Sequence, residues 1–402
     1  MKQPKIRFKG FEGEWNETQL SQFFTKVLEK NHKIEYKSVL TNSAEYGIIE
    51  QNKFFDHDVA NSENIGGYFI VKPDDFVYNP RVSTTAPVGP ISRNTLGYTG
   101  VMSPLYLVFN IDGIDKDFLC YYYKTSKWYN FMRISGNCGA RFDRLAISDD
   151  QFAKMPIIYP WNPYEQQAIS DYFKSLDSLI QTTTKKIASL KQMKSACLVS
   201  MFPQEGETKP RVRFKGFEGE WKKDKAINLF ETFNIRNRPE LPVLSANQDI
   251  RGMAPRTETG YNISHNRANE VTYKVVKPGQ FVIHLRSFQG GFAHSSVEGI
   301  TSPAYTVFGL KDERNHDDYF WKIIFMSKTF VKRLETITYG IRDGRSISFG
   351  EFSEMPFLFP CYEEQQKIAS FFSTLDTQIS LQEQRLEKLK QIKSACLDKM
   401  FV

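Results

Sequence analysis

A nine-residue stretch, RFKGFEGEW, occurs twice in this chain of 402 residues, at residues 7–15 and again at 213–221. Further matched segments follow each copy in the same order: VKPDDFVYNPR and VKPGQFVIHLR (71–81 and 276–286), VMSPLYLVF and ITSPAYTVF (101–109 and 300–308), LKQMKSACL and LKQIKSACL (190–198 and 389–397). A period of about 200 residues is too long for a solenoid repeat of about 20–50 residues. The chain is therefore two copies of one large unit.

The first part of each copy has the pattern of short β-strands. Runs such as GYFIV (67–71), LYLVF (105–109) and KVVKPGQFVIHL (274–285) contain many β-branched and aromatic residues, and Gly, Pro and Asn interrupt them. Such runs are typical of strands joined by turns. We therefore predict a strand-rich domain with a few helices in each copy.

The last part of each copy has the pattern of one long helix. Neither Pro nor Gly occurs between residues 164 and 201, so a helix of roughly 55 Å follows from the rise of about 1.5 Å per residue. The apolar positions have heptad-like spacing, which favours packing on a partner helix. The predicted helix–helix interface consists of Ile169, Phe173, Leu176, Ile180, Ile187 and Leu190 in the first copy and Ile368, Phe372, Leu375, Ile379, Leu386 and Leu389 in the second.

These patterns together predict an α+β fold with an internal duplication. Two strand-rich domains are separated by two long helices that pack as an antiparallel coiled coil with pseudo-twofold symmetry. The predicted divisions are 1–151 (first domain with its N-terminal joint), 152–210 (central helical region), 211–351 (second domain) and 352–402 (C-terminal helical region). An alternative is that each helix packs only on its own domain. The repeated RFKGFEGEW is interpreted as architecture, with Trp15 and Trp221 as packing anchors.

The sequence lacks the common motifs of catalysis. No GxxxxGK[ST] or GxGxxG run is present, and WNPY (161–164) is only a poor match to an amino-methyltransferase motif. The six histidines have no HxxxH or HExxH spacing, and the five cysteines form no CxxC pair. The prediction is a binding protein with no catalytic residues, metal or cofactor of its own. Without an apolar run of about 20 residues or a secretory leader, we expect no membrane contact and a cytoplasmic location.

A formal net charge of +7 leaves nucleic acid as one possible partner. Side chains that can contact base edges and phosphates stand at predicted strand ends and turns, and an arginine pair precedes the Met-Pro segment in both copies. Lysines on the long helices, including Lys191, Lys194 and Lys393, are interpreted as a solvated basic face. The candidate DNA-binding residues are Asn79, Arg81, Arg93, Asn94, Arg141 and Arg144 in the first domain, and Asn247, Gln248, Arg251, Arg256, His284, Arg286, Arg342 and Arg345 in the second.

The paired helix entries EQQ…I…F…LD…I (165–180 and 364–379) and the two LKQ.KSACL endings give the chain a family resemblance. It resembles the specificity subunit of a type I restriction-modification enzyme, over nearly its whole length. The resemblance implies two target recognition domains, each reading one half of a split, asymmetric site in double-stranded DNA. It also implies two methyltransferase subunits and restriction (translocase) subunits as partners, with S-adenosylmethionine, ATP and Mg²⁺ bound by those partners.

Two other classes of function remain as alternatives. A stand-alone modification or cleavage enzyme requires catalysis by the pure chain, and the missing cofactor motifs argue against it. A coiled-coil scaffold that binds only proteins predicts no sequence-dependent affinity for DNA. The strand-end arginines in both domains favour DNA recognition over such a scaffold.

Overall fold

The computed structural model describes residues 2–54, 65–137, 143–247, 252–258, 267–284, 291–337 and 347–402. The chain divides into two compact units. The first unit is Met1–Thr184 together with Gln384–Val402, and the second unit is Lys185–Glu383. Each unit therefore combines most of one sequence copy with helical residues from the end of the other copy.

The first copy alternates short strands with short helices before one long helix. Its strands are β1 (Asn16–Gln19), β2 (Phe24–Lys26), β3 (Leu40–Ser43), β4 (Gly47–Glu50), β5 (Phe69–Val71), β6 (Phe76–Tyr78), β7 (Ile91–Arg93), β8 (Gly100–Met102), β9 (Leu107–Ile111) and β10 (Pro156–Tyr159). Its helices are α1 (Gln51–Phe54), α2 (Lys116–Tyr123), α3 (Tyr129–Ser135), α4 (Asp149–Ala153) and α5 (Pro163–Ser200).

The second copy repeats this order of elements. Its strands are β11 (Lys222–Lys225), β12 (Phe230–Phe233), β13 (Leu244–Asn247), β14 (Gly252–Pro255), β15 (Lys274–Val276), β16 (Phe281–Ile283), β17 (Phe292–His294), β18 (Gly299–Thr301), β19 (Thr306–Leu310) and β20 (Pro356–Phe359). Its helices are α6 (Ala226–Leu229), α7 (Asp318–Phe325), α8 (Lys328–Ile337), α9 (Phe349–Ser353) and α10 (Tyr362–Lys399).

The main sheets of the two units share a common centre and differ at one edge. In the first unit the strand order is β2-β9-β6-β7, and all pairs are antiparallel. In the second unit the order is β12-β19-β16-β17-β14-β13, because a parallel bridge joins β14 to β17. The duplication therefore keeps a four-stranded centre. The β13–β14 hairpin joins this sheet in the second unit, whereas the β3–β4 hairpin of the first unit forms a separate two-stranded sheet.

Aromatic side chains fill both cores at matching positions. Phe76 and Phe109 stack across β6 and β9 with centroids 5.7 Å apart, and Phe281 and Phe308 do the same across β16 and β19 at 5.4 Å. All four side chains are fully buried. Trp15 and Trp221 are also buried, at 2% and 4% exposure, so the predicted packing role of the repeated tryptophans is confirmed.

A buried ion pair joins the repeated RFKGFEGEW stretch to the start of the long helix in the first unit. Arg7 Nε and Nη2 donate to the two carboxylate oxygens of Glu165 at 2.7 and 2.8 Å, and Trp15 Nε1 donates to the same carboxylate at 3.3 Å. The Glu165 side chain is only 2% exposed. The hydrogen bond from Arg7 to Glu165 raises the pKa of the guanidinium above its ordinary value.

The second unit repeats the arginine–glutamate contact, although Trp221 Nε1, unlike Trp15 Nε1, has no hydrogen-bond partner among the described residues. Arg213 Nε and Nη2 donate to the Glu364 carboxylate at 2.7 Å each, and the Glu364 side chain is 1% exposed. Arg7 Nη1 and Arg213 Nη1 each donate to a glycine carbonyl at 2.6 Å, that of Gly13 and Gly219 respectively. The arginine and the glycines of RFKGFEGEW thus have the same structural role in both copies.

The two long helices run antiparallel in each unit. In the first unit, Tyr172 of α5 contacts Cys396 of α10, and Asp177 pairs with Lys393, so rising numbers on α5 meet falling numbers on α10. In the second unit the same direction follows from the pairs Lys191–Glu383 and Lys194–Asp376. The predicted α+β fold with an internal duplication and a long antiparallel helix pair is confirmed.

Each long helix also packs on a strand-rich domain. Phe173 of α5 stacks on Tyr121 of α2, with centroids 5.0 Å apart, and on Phe401, just beyond α10, at 5.9 Å. The predicted interface residues Ile169, Phe173, Leu176, Ile187, Leu190, Ile368, Phe372, Leu375 and Ile379 are buried, while Ile180, Leu386 and Leu389 are half-buried. The apolar seam formed by these interface residues therefore packs against the strand-rich domains as well as against the opposite long helix.

The interpretation of the helix lysines as a solvated face holds for the exposed Lys185, Lys186, Lys191, Lys388 and Lys390 but is wrong for Lys194 and Lys393, whose side chains are 31% and 21% exposed. Lys191, Lys194 and Lys393 all form ion pairs with acidic residues of the opposite long helix. The sequence pattern missed these pairs because each partner is far away along the chain.

Among the helices of the described residues, none is long and apolar enough to cross a bilayer.

We expect Arg7→Met to destabilise the protein by about 3–5 kcal/mol, because it leaves the buried Glu165 carboxylate without its ionic partner. Urea denaturation followed by tryptophan fluorescence measures the effect. Arg211→Met is the matched control: Arg211 pairs with Glu207 but its side chain is 64% exposed, so its loss should cost at most about 1 kcal/mol. Equal effects of the two substitutions would contradict the structural role of the Arg7–Glu165 pair.

Candidate nucleic-acid interface

Two candidate arginines of the first domain lie opposite each other on a short antiparallel ladder. Arg81 and Arg144 form a β-bridge, and the bonds from Val82 N to Asp143 O (3.0 Å) and from Leu145 N to Pro80 O (2.9 Å) flank it. In this arrangement the two Cα atoms are about 4.5 Å apart and the side chains share one face. The geometry therefore brings together two arginines that are distant in sequence.

The Arg81–Arg144 pair is electrostatically unfavourable by itself. Arg81 is exposed and Arg144 is half-buried, and neither has an ion pair with a carboxylate among the described residues. Like charges directly opposite each other on neighbouring strands destabilise a sheet. A bound anion relieves this repulsion, and guanidinium groups suit phosphate oxygens or the acceptor edge of guanine. The pair thus has the chemistry of a nucleic-acid contact.

Asn79 shapes the strand end that carries Arg81. Its Nδ2 donates to Asn42 O at 2.9 Å, and its Oδ1 accepts a hydrogen bond from Arg81 N at 3.0 Å. The next turn lies so close that a Cβ on Gly89, which has φ +83°, would be 2.1 Å from Asn79 O. Asn79 therefore holds the backbone beneath Arg81, and its amide already has two internal partners.

Arg93 and Asn94 make internal contacts in this structure. Arg93 donates to Asp117 on α2, and its Nη1 lies 3.5 Å from Asp74 Oδ1. The Arg93 side chain is only 14% exposed. Asn94 is 1% exposed and donates to the carbonyls of Val71 and Tyr98 at 3.3 and 3.0 Å. These contacts tie β7 to its neighbours.

In the second domain, the described candidates lie at the ends of strands. His284 follows β16, its ring lies 6.1 Å from that of Tyr305, and burial lowers its pKa. Its imidazole is therefore mainly neutral near pH 7 and can both donate and accept a hydrogen bond. Asn247 ends β13 opposite Gly252, and Arg256 Nε donates to Ser245 Oγ at 3.2 Å.

The remaining candidates lie outside the described residues. They are Arg141, Gln248, Arg251, Arg286, Arg342 and Arg345. The matching of Arg81 with Arg286 therefore stays a prediction from the sequence. Within the described residues, no group of three or more His, Cys, Asp or Glu side chains is placed to hold a metal ion.

Both copies match one protein family. The family model described as "Type I restriction modification DNA specificity domain" matches residues 12–192 and 220–391. The chain therefore belongs to this family, and it is a DNA specificity subunit of the type I restriction-modification class. No protein in a search of curated sequences matches the chain.

Solved structures with the same architecture are distant in sequence. The type I restriction-modification S subunit from M. genitalium is 12% identical, with 100% of this chain and 99% of that chain covered and a TM-score of 0.59. The HsdS subunit from Thermoanaerobacter tengcongensis is 13% identical over 96% of each chain, with a TM-score of 0.46. A chain from a study of the assembly and conformational transition of the type I R-M system is 13% identical over 96% of this chain and 97% of that chain, with a TM-score of 0.49. The first of these likenesses supports the fold.

Replacing Arg81 distinguishes a contact to a base from a contact to a phosphate. If its guanidinium reads a base, Arg81→Ala should weaken binding to one half-site by about 1–3 kcal/mol, with little effect on sequences that lack that base. Arg81→Lys should then be nearly as damaging, because an ammonium group lacks the bidentate fork. Fluorescence anisotropy with matched and mismatched duplexes measures the difference.

If Arg81 contacts a phosphate instead, Arg81→Ala should weaken all duplexes equally, reduce the salt dependence of binding, and be largely rescued by Arg81→Lys. Unchanged affinity for every duplex would remove Arg81 from the interface.

Proposed function

We propose that this specificity subunit reads a split, asymmetric site in double-stranded DNA, with one half-site for each strand-rich domain. The observation that carries the proposal is the contrast between a duplicated frame and two different domain surfaces. The Arg–Glu joint is the same in both units. Just after the equivalent strands β6 and β16, however, one domain has Asn79 and the other has His284, both half-buried, and only the second domain joins a hairpin (β13–β14) to its main sheet. Two different surfaces on one repeated frame suit two different half-sites.

The proposed reading surface of the first domain includes the Arg81–Arg144 pair. These two arginines lie on one face, and neither pairs with a carboxylate among the described residues, so together they suit a polyanion such as the DNA backbone. Phosphate contacts position a protein on the duplex, and base-edge contacts give specificity. The loop residues beside this pair would then read the half-site.

In this proposal the chain itself is not an enzyme. Two methyltransferase subunits bind it and methylate adenine, one in each half-site, with restriction (translocase) subunits as further partners. S-adenosylmethionine, ATP and Mg²⁺ are bound by these partner subunits, and the complex acts in the cytoplasm. The basis for this part is the family to which the chain belongs, together with the absence of a nucleotide-binding motif from the sequence.

A single-molecule methylome tests the proposal. The chain is expressed with its neighbouring methyltransferase subunit in a host that has no adenine methylation. We expect one methylated adenine in each half of a single split motif. A complex that co-purifies but marks no adenine would contradict DNA reading and favour the alternative of a protein-binding coiled-coil scaffold. Methyl transfer by the pure chain alone would contradict its non-catalytic role.

A further inference from the structure

A cluster of polar side chains occurs in the first unit where the two long helices meet the strand-rich domain. Asp177 of α5 is its centre. Lys393 of α10 donates to Asp177 Oδ1, and Tyr121 of α2 donates to Oδ2 at 3.0 Å. Lys124, just after α2, lies 3.7 Å from the same Oδ2 and 4.6 Å from the Tyr121 ring centroid. We refer to these four residues as the Asp177 cluster.

The second unit contains a corresponding cluster around Asp376 of α10. Lys194 of α5 donates to Asp376 Oδ1, and Tyr319 of α7 donates to Oδ2 at 2.9 Å. The ammonium group of Lys322 lies 4.4 Å from the Tyr319 ring centroid. These four residues form the Asp376 cluster. In both clusters, one carboxylate therefore joins its own long helix to the opposite long helix and to the short helix of the domain.

The two clusters are not simple copies of each other. The short helices begin alike: the N-cap residues Asp115 and Asp317 each donate a backbone N–H to a glutamine at the start of the long helix, Gln166 at 2.9 Å and Gln365 at 3.1 Å. Relative to these N-caps, the Tyr-x-x-Lys pair lies one helical turn later in α2 than in α7. The positions in α7 that match Tyr121 and Lys124 hold Ile323 and Met326.

The same contact is therefore made by residues at different positions of the duplicated helix. Simple inheritance from a duplicated ancestor would leave the tyrosine at the same position in both copies. A requirement for a hydroxyl and an ammonium group beside this aspartate accounts for the shift. Stability is a poor reason for it, because the Asp177 and Asp376 side chains are 36% and 38% exposed, and ion pairs near water contribute little to stability.

Geometric specificity is the better reason. The apolar seam around each cluster consists of Phe, Leu and Ile side chains, which pack in several ways at similar energy. The aspartates lie beside this apolar seam, and their hydrogen bonds select one alignment of the helices, as a single polar side chain does in a coiled coil. Slippage of any of the three elements by one turn, about 5.4 Å, would break the hydrogen bonds to the aspartate.

The charges of the Asp177 cluster agree with this role. Burial alone would raise the pKa of Asp177, but the hydrogen bond from Lys393 and the positive charges of Lys124 and Lys393 lower it below its ordinary value. Burial, with the nearby charge of Lys393, lowers the pKa of Lys124. The carboxylate is thus ionised near pH 7 and keeps its partners.

We propose that Asp177 and Asp376 are positioning residues for DNA recognition, each setting where its domain is held along the two long helices. This inference rests on the proposed reading of a split site. It predicts that the clusters control the tolerated number of base pairs between the half-sites. The letters of each half-site are read elsewhere and should not change.

The test uses the complex of the full chain with its methyltransferase subunit. Methylation rates are compared on duplexes that carry the wild-type gap and gaps one base pair longer or shorter. We expect Asp177→Asn and Lys393→Met to lose at least tenfold of the discrimination between gaps, with unchanged half-site letters. Lys393→Arg should retain the discrimination, because it keeps the charge. Lys390→Met, an exposed lysine on the same helix, is the matched control and should behave as wild type.

The possible failures are distinguishable. If the wild-type complex methylates no split motif, the proposed function is wrong and this inference falls with it. If the wild-type complex does so, and both Asp177→Asn and Lys393→Met keep full discrimination between gaps, only the positioning role is wrong. Where Asp177→Asn does not assemble, Tyr121→Phe removes one hydroxyl group and leaves the core intact. Loss of gap discrimination in that variant supports the role, and full retention overturns it.

Discussion

The bidentate ion pair between an arginine of RFKGFEGEW and the first glutamate of EQQ is the contact on which each unit depends. Glu165 and Glu364 are almost completely buried, and a buried carboxylate without a hydrogen-bonded cation costs several kcal/mol. The arginine reaches its glutamate only if the stretch after it folds back, which places Gly13 and Gly219 at positive φ and within reach of the same guanidinium. This requirement accounts for the arginine and the second glycine of the stretch in both copies.

Completion of the cores adds a second constraint, because each unit needs the end of a long helix. Met400 and Phe401 are buried in the first core, and Met201 is buried in the second, where Phe202 packs against it. The backbone repeats the relationship: Ile6 N donates to Lys399 O at 3.0 Å, and Val212 N donates to Ser200 O at 2.9 Å. Segments that are shared by the two copies therefore include those that bury the helix ends in each unit.

The fold could be predicted because the sequence patterns that specify it are either local to one element or repeated in both copies. Heptad spacing and the absence of Pro and Gly identify the helices, and the duplicated segments give the organisation. The candidate site was less predictable, because pattern does not reveal the partners of charged side chains. Arg93 pairs with Asp117, and Lys393 pairs with Asp177, which is 216 residues away. The sequence does show that the same aspartate occurs in both SLDSLI and TLDTQI, and the same lysine in both LKQ.KS segments. It does not show that the aspartate of one copy pairs with the lysine of the other, which only the folded chain reveals.

The contacts divide the molecule into parts that can change independently. The Arg–Glu joints connect segments of the repeated frame, and the aspartate clusters connect that frame to helix α2 of the first domain and helix α7 of the second. The strand-end residues Arg81 and His284 are absent from these contacts. Substitutions at Arg81 and His284 therefore do not require compensating changes in the joints, since additivity holds for sites without shared partners. Such separation allows each domain to acquire a new surface while the frame that holds it stays the same.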